Sequence, residues 1–351
     1  MNVETGSLAP SLAVDPDVRE LIRDVLAEHE CVGRLVDPSG SIATERGLYH
    51  QLHDLGLARM AAPLDRGGSS AGWVNTAELV TALGRRGCWM PIGESDLVAD
   101  WLADRAGLPA ADGLQTCLDL EASTGTGVPV HPLAGLVLLM SSAGAEGAVA
   151  QVARAGLDTV LASSSRMEHL RWHPVGHDVL RLAKLRMALI RGLQVVGAMQ
   201  AALATTITHV KEREQFGRPV AAFQAIQHLV AEMAAETSLA AVAVDAAVLE
   251  MATNGDDVDR LTSAVAVARS TVGHAAGKVA RGAHQAVGAI GTTDEHSLHR
   301  FTTAMLAWRS DGGDTRSWDR VVLDQALAGR PLSDLELGAE FRQTKTTGGS
   351  S

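Results

Sequence analysis

The chain has 351 residues, enough to bury a large apolar core and to divide into two or three domains. Its formal charge of −11 argues against nucleic acid and anionic membrane surfaces as partners, because both require a basic footprint. No run of apolar residues approaches the ~18 of a membrane span, and the N-terminus shows no secretion signal, so we expect a cytoplasmic protein.

The first third of the chain is predicted to be helical. Residues 17–29 place apolar side chains on one face of a helix, and residues 73–83 and 96–106 repeat this spacing. Gly84 is the predicted end of the second of these helices, because glycine often follows the last helical turn. We predict an N-terminal helical domain over residues 1–112.

The middle of the chain changes character. Short apolar runs at 133–140 and 159–162 are separated by glycine, proline and serine, which predicts short strands joined by turns. This part is expected to form a small β domain over residues 113–178.

The last part of the chain is strongly helical. Apolar residues recur at helical spacing through three long segments and two shorter ones, which is typical of a helix bundle. We predict a helical domain over residues 179–335 and a tail at 336–351. The predicted helices cover 179–212, 222–251, 258–286, 296–307 and 318–327.

The most informative motif joins the first two long helices. Taken alone, Arg213 with Gly217 is typical of a cation at a helix C-terminus followed by a glycine stop. The whole motif is more specific than this pair, because further residues follow in a fixed order, and its two parts are separated by the length expected for the helices of a bundle. They are Phe216, Gly217, Pro219, Phe223, Gln224 and Gln227, and then Gln285, Gly288 and Gly291.

This order resembles the R-x-Q-F-G-x-P signature and the Q-x-x-G-G-x-G turn of the acyl-CoA dehydrogenase family, with Ala289 in place of one glycine. Members of that family are flavin enzymes that desaturate acyl thioesters. The N-terminal third adds matches at Gly56-Leu57, Pro63, Gly67-Gly68 and Pro91. The resemblance implies a mostly α, acyl-CoA dehydrogenase-like fold with an N-terminal helical domain, a reduced central β domain and a C-terminal four-helix bundle.

The resemblance also implies FAD as the cofactor. In the family, the matching residues reach across a subunit interface to the adenosine and pyrophosphate of a neighbour's FAD. An arginine fork suits a pyrophosphate, and a glycine turn lets backbone N–H groups approach phosphate closely. The cofactor residues implied in this chain are Arg213, Phe216, Gln224, Gln285, Gly288 and Gly291.

The family's catalytic base is a glutamate that comes from one of two places. In this sequence Gly312 stands at the first place, with Asp311 one residue short of it, and Met187 stands at the second. Asp311 and Glu295 are the remaining candidates. We favour a turn role for Asp311 and a helix-capping role for Glu295, so we expect no catalytic base in this chain.

The features of the β domain that face the flavin ring in the family are not recognisable either. Trp172 is followed by His173-Pro174 instead of a Ser/Thr pair. Together with the missing base, this resembles the smaller, non-catalytic subunit of actinobacterial α2β2 sterol-degrading acyl-CoA dehydrogenases. The resemblance implies a homologous larger subunit as partner, a sterol side chain or another bulky acyl-CoA as substrate, and electron-transfer flavoprotein as electron acceptor.

Two alternatives stay open. The chain could form a homo-oligomer that desaturates acyl-CoA with Asp311 or Glu295 as base, or a flavin-free helical scaffold. A metal site is not expected, because the histidine pairs lack a third ligand at a telling spacing. The three cysteines form no C-x-x-C pair and indicate neither zinc nor a disulfide framework.

Overall fold

A computed structural model describes residues 12–29, 38–122, 130–143 and 146–328, and the predicted tail at 336–351 lies outside them. The described residues are mostly helical, as predicted. Their twelve helices are α1 (Pro16–Ala27), α2 (Pro38–Asp54), α3 (Gly72–Arg85), α4 (Ile92–Glu94), α5 (Asp100–Arg105), α6 (Leu157–Leu161), α7 (Ser164–Glu168), α8 (His177–Glu212), α9 (Gln224–Thr253), α10 (Val258–Val287), α11 (Leu298–Ser310) and α12 (Thr315–Leu327). A π-helical segment, Ser95–Ala99, joins α4 to α5.

The N-terminal helices form where the sequence predicts them, with one correction. The prediction that α3 ends at Gly84 was wrong, because the helix continues through Gly84 to Arg85. The glycine that ends the helix is Gly87, whose φ of 67° lets its N–H donate to the Gly84 carbonyl at 3.0 Å. Gly84 is instead buried inside the helix, where it has a packing role.

The middle segment forms a small four-stranded sheet. Its strands are β1 (Gln115–Asp119), β2 (Leu136–Ser141), β3 (Ala148–Ala153) and β4 (His173–Pro174), in that spatial order. β1 and β2 pair in parallel, and the other two pairs are antiparallel.

The strand predicted at residues 159–162 was wrong, since Leu157–Leu161 is the short helix α6. β3 already pairs with β2 and β4, so no edge of it remains for this segment. The segment satisfies its backbone locally instead, with the Ala162 N–H donating to the Asp158 carbonyl at 3.1 Å.

Helix α8 is the centre of the C-terminal bundle. It has 36 residues and packs against α3, α9, α10 and α11. In length and composition α8 would suffice to cross a membrane, but 72% of its most apolar window is buried inside the protein. The main apolar cluster extends from α3 through the sheet into the bundle, so the three predicted domains share packing. Their boundaries at 112 and 178 remain predictions.

Glycines allow α3 and α8 to cross in close contact. A Cβ atom at Gly84 would lie 2.6 Å from the Gln194 carbonyl oxygen, and one at Gly197 would overlap the carbonyl oxygen of Thr81. Both obstacles are backbone atoms, which cannot move aside as a flexible side chain can. The crossing aligns α8 with the N-terminal helices and thereby places the cavity described below.

Replacing Gly197 by alanine should therefore lower the free energy of unfolding by about 1–3 kcal/mol, the usual cost of overpacking a buried contact. Urea unfolding followed by circular dichroism measures the change. The matched control is Gly47→Ala in α2, where no atom lies within 4 Å of the added Cβ. The control should raise stability by about 0.5–1 kcal/mol, because alanine is the better helix former. Equal effects of the two substitutions would contradict the close crossing.

Candidate functional site

A cavity of about 1170 Å³ lies between the sheet, α8 and α11. Much of its wall is apolar and aromatic, and its polar groups include buried charged side chains. Such a combination is typical of a small-molecule site. Representative lining residues are Trp89, Cys117, His131, Met187, Trp308 and Trp318.

The polar end of the cavity is organised by Arg191 of α8. Its Nη1 lies 2.6 Å from Oε1 of Glu94, and its Nε donates to Oδ2 of Asp311 at 2.6 Å. Arg191 and Glu94 have only 6% of their side-chain surface exposed, whereas Asp311 has 53% exposed. Thr116 donates a hydrogen bond to the second oxygen of Glu94. The two carboxylates raise the pKa of Arg191 well above its usual range, against the opposing effect of burial.

A second buried arginine holds the backbone of the same loop. One guanidinium nitrogen of Arg269, Nη2, donates to the carbonyl oxygens of Arg309, Asp311 and Gly313 at 3.1, 2.8 and 3.0 Å. Burial lowers the pKa of Arg269 to about 10, so the group stays charged at neutral pH. A cation beside the last carbonyls of α11 is also favoured by the helix dipole. The loop is therefore fixed through both its backbone and the Asp311 carboxylate.

This arrangement places Asp311 in the cavity but engages its carboxylate. Asp311 is the residue that follows α11, which agrees with the predicted turn role. Gly312 and Met187, which stand at the two glutamate positions of the family, also line the cavity, and neither has an ionisable side chain. The sequence analysis assigned no such role to Glu94, a buried glutamate at the same site. Its only sequence signal was a charged residue next to an apolar helix, which usually indicates a solvent-exposed position.

Glu295 lies elsewhere. It is exposed in the turn before α11 and is absent from the cavity lining. The expectation that it caps α11 was wrong, because the helix begins after Ser297. The first N–H of the helix, that of Leu298, donates instead to Nδ1 of His296 at 3.2 Å.

The motif at Arg213 forms a tight hairpin, which we call the Arg213 hairpin (residues 213–219). α8 ends at Glu212, and Glu214–Gln215 pairs with Arg218–Pro219. The two turn residues, Phe216 and Gly217, have φ values of 53° and 79°, as a type I′ turn requires. A positive φ is unfavourable for phenylalanine, so the turn holds this ring outward at a conformational cost.

The hairpin presents its side chains to solvent. The ring of Phe216 is 91% exposed and meets the ring of Phe223 edge to face, at 6.1 Å between centroids. The Arg213 side chain is exposed and makes neither a hydrogen bond nor an ion pair with the residues that the structure describes. Gln224, the first residue of α9, is exposed as well.

The second predicted element is the turn over residues 285–291, which we call the Gly288 turn. Gln285 and Gly288 are exposed, whereas Gly291 is buried against Leu298. Gly288 has φ of 80° and ψ of −158°, a conformation open essentially to glycine alone. The Gly288 turn and the Arg213 hairpin lie at the same end of the bundle, since His209 of α8 contacts His296 just beyond the turn.

None of the six predicted cofactor residues lines the cavity. At a rise of about 1.5 Å per residue, Arg213 lies roughly 33 Å along α8 from Arg191 at the polar end of the cavity. The chain therefore carries two separate features. One is a cavity with paired charges, and the other is an exposed arginine, aromatic ring and glycine turn on the outside of the bundle.

The helical fold and these motifs resemble those of acyl-CoA dehydrogenases, and comparison with known proteins agrees. Residues 177–322 match the family model described as the acyl-CoA dehydrogenase C-terminal domain. The C-terminal part of the chain therefore carries this domain, and the relatives described next are similar to a larger share of the chain.

Two relatives come from Mycobacterium tuberculosis. Acyl-CoA dehydrogenase FadE34 is 28% identical over 316 residues, which cover 83% of this chain but only 43% of the relative. Acyl-CoA dehydrogenase IpdE2 is 26% identical over 313 residues, which cover 82% of this chain and 90% of the relative. The chain thus spans less than half the length of one relative and most of the other.

Solved structures show the same fold. The ChsE4-ChsE5 complex from Mycobacterium tuberculosis contains a chain with a TM-score of 0.72 and 21% identity, over 90% of this chain and 99% of that one. Butyryl-CoA dehydrogenase from Megasphaera elsdenii has a TM-score of 0.71 and 15% identity, over 93% of this chain and 100% of that one. The mostly helical, acyl-CoA dehydrogenase-like fold expected from the sequence is confirmed.

The ion pairs of the cavity can be tested by removing Arg191. Arg191→Met should lower the free energy of unfolding by about 3–5 kcal/mol, because it leaves Glu94 charged and buried without its partner. Urea unfolding at pH 7 measures the loss. Arg181→Met in the same helix is the control, since Arg181 is half exposed and pairs only with Asp178, and it should change stability by less than about 1 kcal/mol. Similar losses in both variants would contradict the structural role of Arg191.

Proposed function

We propose that this chain is one subunit of a heteromeric, FAD-dependent acyl-CoA dehydrogenase. In this proposal it supplies the half of the FAD site that reaches across the subunit interface, and a homologous larger subunit carries the catalytic base. The observation that carries the proposal is the exposure of Arg213, Phe216 and Gly288 on the outside of the bundle, away from the chain's own cavity.

The exposed groups fit a dinucleotide. The Arg213 guanidinium has donors that are not engaged within the described residues, and guanidinium groups bind phosphate oxygens in a forked geometry. A Cβ built at Gly288 would meet nothing within 4 Å, so the backbone there is open to a close approach. The unpacked ring of Phe216 is suited to cover a planar or sugar group that a neighbouring subunit presents.

At the polar end of the cavity, the two carboxylates that the structure describes are both engaged by an arginine. Abstraction of an α-proton needs a carboxylate with open lone pairs close to the substrate, whereas Glu94 and Asp311 both pair with Arg191. When bound, FAD supplies the two-electron acceptor of the desaturation. In our proposal, the residues of this chain bind and orient that group for the partner's active site and do not take the proton.

The partners and substrate that we propose are those expected from the sequence. They are a larger homologous subunit, an acyl-CoA with a sterol side chain or another bulky acyl group, and electron-transfer flavoprotein as electron acceptor. Two structural neighbours support this direction, since one is titled as the ChsE4-ChsE5 complex and another as the Tcur3481-Tcur3483 steroid ACAD. The second has a TM-score of 0.68 and 19% identity to this chain.

A homo-oligomeric enzyme that uses Asp311 as base is the second candidate, because this carboxylate does line the cavity and is half exposed. Glu295 does not support that candidate, since it lies outside the cavity. The two candidates differ in what the isolated chain should do. Purified alone, it should be colourless and inactive under our proposal, and yellow and active with an acyl-CoA under the alternative.

Arg213→Ala should weaken FAD binding in the co-expressed complex by about tenfold to a hundredfold, because a hydrogen bond from a charged group is worth about 1.5–3 kcal/mol. The flavin retained per complex after gel filtration, measured by absorbance, reports the loss. Arg166→Ala, at an exposed position on α7, should leave the flavin content unchanged. If the complex of the Arg213 variant retains its full flavin content, the proposed trans site is wrong.

A further inference from the structure

Four histidines from different segments gather at the end of the bundle that carries the Arg213 hairpin. They are His209 in α8, His284 in α10, His296 in the turn before α11, and His299 in α11. The rings of His209 and His296 meet edge to face at 5.2 Å between centroids. His299 Nδ1 donates to the His296 carbonyl at 2.7 Å. His209 is distant in sequence from the other three, so only the fold brings it to them.

Two of the four have structural roles. His284 Nε2 donates at 2.9 Å to the hydroxyl of Thr302, and this hydroxyl lies within reach of two carbonyls of α11. His299 is anchored to the turn that contains His296. A metal does not account for the cluster, because no three His, Cys, Asp or Glu side chains in the described segments are placed to hold one.

His209 and His296 differ from these two. His209 is half buried and makes no side-chain hydrogen bond with any residue that the structure describes, and its contact is the ring of His296. His296 uses Nδ1 to accept the Leu298 N–H, so a neutral ring carries its proton on Nε2. His209 also lies four residues before Arg213, whose N–H donates to the His209 carbonyl at 2.9 Å, and Arg213 is among the charges that lower the pKa of His209.

The charges around the pair are mixed. On its own helix, His209 is next to Glu212 and Arg213, and across the contact it faces His296. His284 faces His296 and His299 from α10, and Asp294 lies 3.9 Å from His299. Burial, followed by the neighbouring positive groups, lowers the pKa of His209, and burial followed by His299 and His296 lowers that of His284. This end of the bundle can therefore accept protons most readily when an anion is present.

We propose that His209, supported by its ring contact with His296, is a proton-dependent positioning residue of the FAD site and holds the phosphate-bearing part of the dinucleotide together with Arg213. This inference rests on the proposed function and adds a property to it, because the hold on FAD tightens as the pH falls. The chemistry is that of an imidazolium and a guanidinium converging on one oxyanion.

The direction in which FAD affinity changes with pH follows from proton linkage. Without ligand the pKa of His209 is below its usual 6.5, so the ring is neutral at pH 7. A bound pyrophosphate favours the charged ring and raises this pKa. Affinity therefore increases as the pH falls through the interval between the two pKa values, by at most tenfold per pH unit for each proton taken up. The pyrophosphate itself keeps its charge over this range.

The test measures FAD dissociation from the co-expressed complex by flavin fluorescence at pH 6.0 and pH 8.0. We expect the wild-type complex to bind FAD about three- to tenfold more tightly at pH 6.0. The double variant His209→Gln/His296→Gln should lose this difference while retaining FAD. His177→Gln is the control, because this exposed histidine lies on the same helix at its opposite end, and it should behave as wild type.

A pH difference that persists in the double variant would overturn the inference. A second measurement needs no substitution: histidine NMR signals of the wild-type complex should show a higher pKa for His209 with FAD than without it, and an unchanged pKa would also overturn the inference. The proposed function fails separately, if Arg213→Ala leaves FAD affinity unchanged at both pH values. The two failures are therefore distinguishable.

Discussion

The ion pairs of Arg191 are the constraint on which the rest of the structure depends. One buried guanidinium joins Glu94 from the N-terminal helices to Asp311 at the end of α11, while its own backbone belongs to the central helix. The N-terminal helices, α8 and the end of α11 thus meet at one guanidinium. A buried ion without its partner lowers the free energy of unfolding by several kcal/mol, so this charge must stay paired. Arg269 reinforces the same loop by binding three of its carbonyl oxygens.

The ion pairs of Arg191 also give the cavity and the Arg213 hairpin different chemical characters. The carboxylates in the cavity are engaged by Arg191, which makes them poor proton acceptors, whereas the exposed Arg213 has no such partner among the described residues. In our proposal, the side of the bundle that faces another subunit carries the function, and the chain's own cavity has a structural polar end. The histidine cluster is partly buried at the end of the bundle that carries the Arg213 hairpin, and its member His299 also lines the cavity.

The prediction of secondary structure from sequence succeeded where the local pattern of apolar residues is sufficient to identify a helix. The long helices appear close to their predicted bounds, because apolar spacing over 25–35 residues leaves few alternatives to a helix bundle. It failed at residues 159–162, where a threonine and three apolar residues fit a strand and a helix equally well, and β3 offers no free edge because it already pairs on both sides. It also failed at Gly84, since a glycine that ends a helix and one that admits a neighbouring helix are indistinguishable in sequence.

The sequence by itself determined the mostly helical fold class, because this depends on helical periodicity, and its short motifs carry the family resemblance, whereas the six cofactor residues remain a prediction. The tertiary structure decided which charges meet. Glu94 and Arg191 are 97 positions apart, and His209 and His296 are 87 apart, yet each pair is in contact. Such pairings depend on how the helices cross, and that crossing is fixed by close packing between glycines and backbone on α3 and α8, which no local pattern encodes.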